Sequence, residues 1–185
     1  MPVETEIKLR LPDGAVHARE LLEHLGFTEL SPRQLEVDQV FDLPGQTLRR
    51  SGRLLRLRHR GGQWTLTYKG PAGPGRHKSR DETETDIAEG AAFEAILEAL
   101  GYERTFRYEK YRTKFIAADK KGSGIVTLDE TPIGSFLELE GPAYWIDETA
   151  AHLGFGQEQY ITSSYATLYQ EHLSASAGGP VNMTF

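Results

Sequence analysis

The 185-residue sequence has no cysteine, which excludes disulfide bonds, zinc–thiolate sites and thiol nucleophiles. No apolar run approaches the roughly 20 residues needed to span a bilayer. The N-terminus carries no apolar signal-peptide stretch, so a cytoplasmic protein with no membrane partner is expected. There is no Gly-x-x-x-x-Gly-Lys-Ser/Thr loop and no Gly-x-Ser-x-Gly elbow, which argues against Walker-type and serine-hydrolase mechanisms. No uniformly basic face dominates, and the formal net charge is −6, so nucleic acid is not an expected partner. What is present, 38% hydrophobic and 26% charged residues, suits one globular domain with a full core.

The charged residues are not scattered. In a strand, successive side chains point to opposite faces, so Glu4, Glu6 and Lys8 share one face while Val3, Thr5, Ile7 and Leu9 take the other. The same alternation returns with Arg56 and Arg58, with Lys69, and with Arg80, Glu82, Glu84 and Asp86. It returns again with Lys110, Arg112 and Lys114, with Asp129, and with Glu138 and Glu140. One such strand reads as polar-out, apolar-in. The whole set reads differently once the helices are added.

Two segments, 15–25 and 91–100, carry apolar stripes at helical spacing (Ala15, Ala18, Leu21, Leu22 and Leu25; Ala92, Phe93, Ile96, Leu97 and Leu100). If those stripes cover the apolar strand faces, the charged faces converge. The fold expected is therefore α+β: an antiparallel barrel with a charged lumen and helices outside. Such a lumen is stable only if its charges are paired or bind ions. Strands are predicted near 3–11, 36–42, 53–60, 63–70, 79–87, 106–118, 124–131 and 136–142, and helices near 14–25, 89–100, 146–153 and 162–173. Gly61-Gly62 marks a hairpin, and another is expected through 119–124. Residues 70–75 read as a flexible loop running into Arg76, His77 and Lys78. Residues 174–185 read as a flexible tail, loose unless Val181 to Phe185 docks back.

Carboxylates from two Glu-x-Glu strands, with Asp129 nearby, suit a hard cation, Mg²⁺ or Mn²⁺. The basic set, Lys8, Arg56, Arg58, Lys69, Arg80, Lys110 and Arg112, suits an extended polyanion. Metal and cations around one ligand read as polyphosphate chemistry, in which positioning and charge neutralisation do most of the catalysis.

Taken in order, Glu4-x-Glu6-x-Lys8, Asp38 to Asp42, Arg56-x-Arg58, Lys69-Gly70-Pro71, Arg80-x-Glu82-x-Glu84, Lys110-x-Arg112, Asp129 and Glu138-x-Glu140 resemble the CYTH family of triphosphate tunnel metalloenzymes. That family includes class IV adenylate cyclases and thiamine and inorganic triphosphatases. The resemblance covers residues 3–173 and implies a single domain over 1–173 with an eight-stranded antiparallel tunnel. It implies metal ligation by Glu4, Glu6, Glu138 and Glu140 with help from Asp129. It implies triphosphate contacts from Lys8, Arg56, Arg58, Lys69 and Arg112, joined by Arg80 and Lys110, with Lys8 and Arg112 catalytic. A small triphosphate substrate and, by likeness to class IV cyclases, a homodimer are the partners implied.

Two positions depart from the triphosphatase pattern. Val40 stands where family triphosphatases carry a tyrosine that partners the lysine matching Lys8. Triphosphatases also tend to have a lysine in the last helix, where this chain reads Tyr160-Ile161-Thr162-Ser163-Ser164-Tyr165. Both point to the cyclase-like branch, converting ATP to cyclic AMP and pyrophosphate. A triphosphatase of inorganic or thiamine triphosphate is the alternative, and a catalytically silent polyphosphate binder the second. Arg80, Glu82 and Glu84 are candidates for scaffold ion pairs, Lys114 for a solvated strand end, and His77 for a mobile surface histidine.

Overall fold

The computed structural model describes residues 3–117, 124–176 and 178–185. Among them, eight strands close into an antiparallel barrel in the order β1-β5-β4-β3-β2-β6-β7-β8. In chain order these are β1 (Val3–Leu11), β2 (Phe27–Asp42), β3 (Leu54–Arg60), β4 (Gln63–Lys69), β5 (Lys78–Ile87), β6 (Glu103–Ala117), β7 (Ile125–Thr131) and β8 (Gly134–Glu140). The helices are α1 (Gly14–His24), α2 (Thr47–Arg50), α3 (Gly90–Ala99), α4 (Ala143–His152) and α5 (Tyr165–Ala175), with a 3₁₀ turn at Gln157–Gln159. The helix pattern thus differs from expectation at both ends of the range: α2 was not foreseen, and α4 starts earlier than residue 146.

Closure removes the edge strands, and the period-2 alternation then divides the residues cleanly. Outward-facing Ile7, Leu9, Val126, Leu128, Leu137 and Leu139 are buried beneath Ala18 and Leu22 of α1 and Trp145, Ile146 and Ala150 of α4. On another side of the barrel, Phe41 and Leu57 lie under Leu97 of α3. Each such aliphatic side chain contributes about 1.5–3 kcal/mol by leaving water. The predicted α3 stripe holds only in part, since Ile96 and Leu100 are exposed.

Turn chemistry follows the sequence at Gly61-Gly62, whose φ angles of 56° and 86° fit the two-residue turn that matches strand twist. Gly90 opens α3 directly against the Trp64 ring, where a Cβ would come within 2.1 Å of the indole. The largest departure is β2, which begins nine residues before the predicted start at 36. Its register with β6 shifts between Glu29 and Ser31 and again between Ser31 and Gln34, around Pro32. Each irregularity resets the alternation that a sequence reading relies on. The hairpin expected through 119–124 lies outside the described residues except for Gly124.

At one end of the barrel, α5 lays Tyr165, Leu168 and Tyr169 against Tyr108 and Phe136. The chain end docks back. Met183 is buried and bridges Tyr108, and the Tyr169 hydroxyl donates to the carbonyls of Pro180 (2.7 Å) and Asn182 (3.1 Å).

Candidate functional site

The inward faces build a tunnel with a cavity of about 460 Å³. Its wall includes Glu4, Glu6, Lys8, Arg56, Arg58, Lys69, Arg80, Lys110, Arg112, Glu138 and Glu140. Every expected site residue except Asp129 therefore lines one space. Asp129 lies just behind it, fully buried.

Two opposed walls can be distinguished. On β1 and β8, Glu6 pairs in register with Glu140 and Lys8 with Glu138, while Glu4 and Glu6 stand opposite Arg80 and Lys78 of β5. On β2, β3 and β6, Asp38 faces Arg58 and Tyr108, and Glu36 faces Arg60 and Lys110.

The lumen ions pair extensively. Lys8 Nζ lies 3.2 Å from Glu138 and 3.4 Å from Glu6. Burial alone would disfavour the Lys8 ammonium, but Glu6 and Glu138 outweigh it and hold the group above its ordinary value. Arg112 forks onto Asp129 through two 2.6 Å hydrogen bonds and reaches Glu138 at 2.9 Å. Lys110 donates to Asp129 at 2.9 Å, as does the Tyr165 hydroxyl at 2.7 Å. The Tyr165 phenol is held protonated, well above its usual value, by burial and by Asp129 and Glu138. Asp129 thus spends its lone pairs on Arg112, Lys110 and Tyr165 and fixes all three side chains.

Arg58 forks onto Asp38 at 2.8 and 3.3 Å. Arg56 bonds Thr67 at 2.9 Å and Glu84 at 3.3 Å, and Lys69 sits 2.6 Å from Glu4 and 2.8 Å from Glu82. The ion pairs foreseen for Glu82 and Glu84 are therefore made with Lys69 and Arg56, two of the residues expected to contact phosphate.

Among the described residues no three carboxylates stand at the spacing of a preformed metal cage. The donor chemistry nonetheless fits a hard divalent cation, because Glu4, Glu6, Glu138 and Glu140 are all oxygen donors on one wall. Glu140 carries the clearest sign: it forms no ion pair among the described residues, and burial with Glu4 and Glu138 beside it pushes its carboxyl up to about 7. A carboxylate crowded by carboxylates is relieved by a cation.

Several residues stand elsewhere than expected. Lys114 is half-buried and lines the tunnel. Lys78 begins β5 with its ammonium 3.3 Å from Glu6. His77 is fixed: Nε2 lies 2.8 Å from Asp147 of α4, which also accepts from Arg76 (2.6 Å) and the Tyr160 hydroxyl (3.1 Å). Glu36 escaped the sequence reading although it is 1% exposed amid Arg58, Lys110 and Arg112. Its signal was present, two residues before Asp38 on the same strand face.

A second cavity of about 720 Å³ adjoins the tunnel. The two share Leu54, Lys78, Arg80, Tyr108, Ser164 and Tyr165. Its own wall includes Val40, Phe106, Tyr169, Ser163, Arg49 and Arg53.

A family model for the CYTH domain matches residues 2–150. The chain belongs to the CYTH domain family. A Methanocaldococcus jannaschii protein named provisionally as an adenylate cyclase is 30% identical over 139 residues, covering 75% of this chain and 76% of its own. Among solved structures, a Vibrio parahaemolyticus protein, also provisionally named an adenylate cyclase, superposes with a TM-score of 0.77. It is 22% identical and covers 90% of this CYTH chain and 97% of its own. A Pyrococcus horikoshii OT3 protein gives a TM-score of 0.74 at 25% identity, over 91% and 99% of the two chains. The closed eight-stranded barrel with helices outside is the CYTH tunnel fold, and no helix among the described residues is long and apolar enough to cross a membrane.

Proposed function

We propose that this CYTH domain is a divalent-metal-dependent enzyme that holds triphosphates in its tunnel, and that ATP cyclisation to cyclic AMP and pyrophosphate is the reaction its geometry supports best. The observation that carries the choice is the second cavity. A space of about 720 Å³ opening beside the tunnel, walled by Val40, Phe106 and Tyr108, suits a planar organic group esterified to the phosphate chain. Inorganic triphosphate has nothing to place there. Arg49 and Arg53 on that wall favour a neutral base over a cationic group such as thiamine.

In this reading Glu4, Glu6, Glu138 and Glu140 hold Mg²⁺ or Mn²⁺, with Asp129 behind them keeping Arg112 and Lys110 aimed inward. The bound cation neutralises phosphate charge and orients the chain. Lys8, Arg56, Arg58, Lys69 and Arg112 bind the phosphate oxygens, with Arg80 and Lys110 completing the positive lining. Lys8 stays an ammonium and Arg112 a guanidinium throughout, so both act by charge. As the ribose 3′-oxygen bonds to the α-phosphorus, its proton passes to solvent water and the bond from the α-phosphorus to the bridging oxygen breaks. Pyrophosphate then leaves into a site already matched to its charge.

The test is a product assay with Mg²⁺ or Mn²⁺ on ATP, inorganic triphosphate and thiamine triphosphate in parallel. Cyclic AMP with pyrophosphate is expected. Orthophosphate from inorganic triphosphate alone would replace the cyclase reading with a triphosphatase, and binding without turnover would leave a polyphosphate binder.

A further inference from the structure

The clamp proposed above uses Arg58 and Arg112 but gives no task to the next inward-facing cation on either strand. That cation is Arg60 on β3 and Lys114 on β6. Strand alternation aligns Lys110, Arg112 and Lys114 on one line and Arg58 and Arg60 on another. Positive charge therefore continues past the clamp, away from the end marked by Leu54 and Tyr108, where the second cavity opens.

Arg58 is held by Asp38, and Lys110 and Arg112 by Asp129; Glu36 is the one carboxylate among the described residues within ion-pair distance of Arg60. It lies 3.1 Å from Arg58, 3.7 Å from Lys110, and 3.8 Å from both Arg60 and Arg112. Glu36 is thus shared among four cations, and its 3.8 Å contact leaves Arg60 weakly compensated. Arg60 otherwise bonds only neutral groups, Gln34 (2.8 Å) and the Ser31 hydroxyl. Lys114 is half-buried on the tunnel wall and makes no ion pair or side-chain hydrogen bond among the described residues. Burial and the nearby Arg112 push its ammonium below the ordinary lysine value; Glu36 offsets this only in part, and Arg60 and Arg58 add to it. A half-buried cation crowded by cations is a site that awaits an anion.

Resting on the tunnel reading above, we propose that Lys114 and Arg60 form a further phosphate subsite, so that the tunnel takes linear phosphate chains of four or more units in addition to triphosphates. The ligand class is a phosphoanhydride chain that continues beyond the clamp at its Lys114 end. Lys114 is then the specificity-determining residue for chain length, and Arg60 supports it from the rim, where its side chain is 24% exposed.

The experiment is calorimetric titration of wild type, Lys114→Met and Arg60→Met with linear tripolyphosphate and tetrapolyphosphate in excess Mg²⁺. Wild type is expected to bind tetrapolyphosphate at least fivefold more tightly than tripolyphosphate. Lys114→Met should bring that ratio to about one, and Arg60→Met should lower it. A wild-type ratio of one, or a ratio preserved in both variants, would overturn the subsite while leaving the tunnel reading intact. No binding of either chain by the wild type would overturn the tunnel reading and the subsite with it. Thermal melts of the three proteins establish that a lost ratio is not a lost fold.

Discussion

The two walls of the tunnel carry opposite surpluses of charge on the same fold. The β2–β3–β6 wall sets Arg56, Arg58, Arg60, Lys110, Arg112 and Lys114 against Glu36 and Asp38. The β1–β5–β8 wall sets Glu4, Glu6, Glu82, Glu84, Glu138 and Glu140 against Lys8, Lys78 and Arg80. Neither wall is balanced within itself, and the salt bridges between them, such as Arg112 to Glu138 and Arg56 to Glu84, balance them only in part. The lesson is directional. An anionic chain belongs against the first wall and a hard cation against the second, so a metal–polyphosphate complex is the ligand that satisfies both at once.

The strongest way to break the comparison is to remove the carboxylate that holds the cationic wall together. Glu36→Gln leaves Arg58, Lys110 and Arg112 around a neutral amide and should cost about 3–5 kcal/mol of stability, the usual cost of breaking a buried ion pair. Denaturant unfolding measures it. A loss under about 1 kcal/mol would mean that the wall is balanced by solvent, and the asymmetry would lose its force.

On the opposite wall, Glu138→Gln and Glu6→Gln should each lower metal-dependent turnover about a hundredfold or more, equivalent to about 2.7 kcal/mol of transition-state stabilisation. Near-normal rates in both variants would remove the metal from this wall. The sharper contrast is with Arg56→Ala on the cationic side. It should weaken triphosphate binding about tenfold while changing diphosphate binding less, because the longer chain reaches more of the clamp. Equal losses would count against an extended ligand.

How much of this was legible beforehand differs between the walls. The carboxylate wall was read almost whole, because β1 and β8 are short, regular strands whose Glu-x-Glu spacing survives folding unchanged. The cationic wall was read only where its strands are regular. Arg56, Arg58, Lys110 and Arg112 stood out, but Glu36, the first residue of the strand predicted over 36–42, was passed over as a strand end, because the irregular stretch around Pro32 hides that β2 begins at Phe27. Lys114 was assigned to solvent as the last charge of an alternating run, although its strand was predicted to 118 and β6 runs to Ala117; nothing local shows that its side chain lines the tunnel. Arg76 and His77 were assigned to a loose loop because nothing local in the sequence announces Asp147, some seventy residues away, as their anchor. Period-2 patterns reveal which face a residue takes; bulges and long-range partners decide the rest.

The smallest expected effect lies outside the tunnel and calibrates the others. Asp147 draws Arg76, His77 and the Tyr160 hydroxyl together on the surface. Burial is the largest single influence and works against its charge, but hydrogen bonds from His77, Arg76 and Tyr160 together prevail and hold its carboxyl below the ordinary aspartate value. A folded-state value below the unfolded one means that the stabilisation is present above about pH 4 and fades as pH falls through the folded value. Asp147→Asn should therefore cost about 0.5–1 kcal/mol at pH 7, the scale of exposed ion pairs, and the gap from wild type should narrow as unfolding is followed downward from pH 4. A gap that stays constant with pH would show that the asparagine loses packing and not charge. A gap as large as that of Glu36→Gln would erase the distinction between buried and exposed pairs on which the two-wall comparison depends.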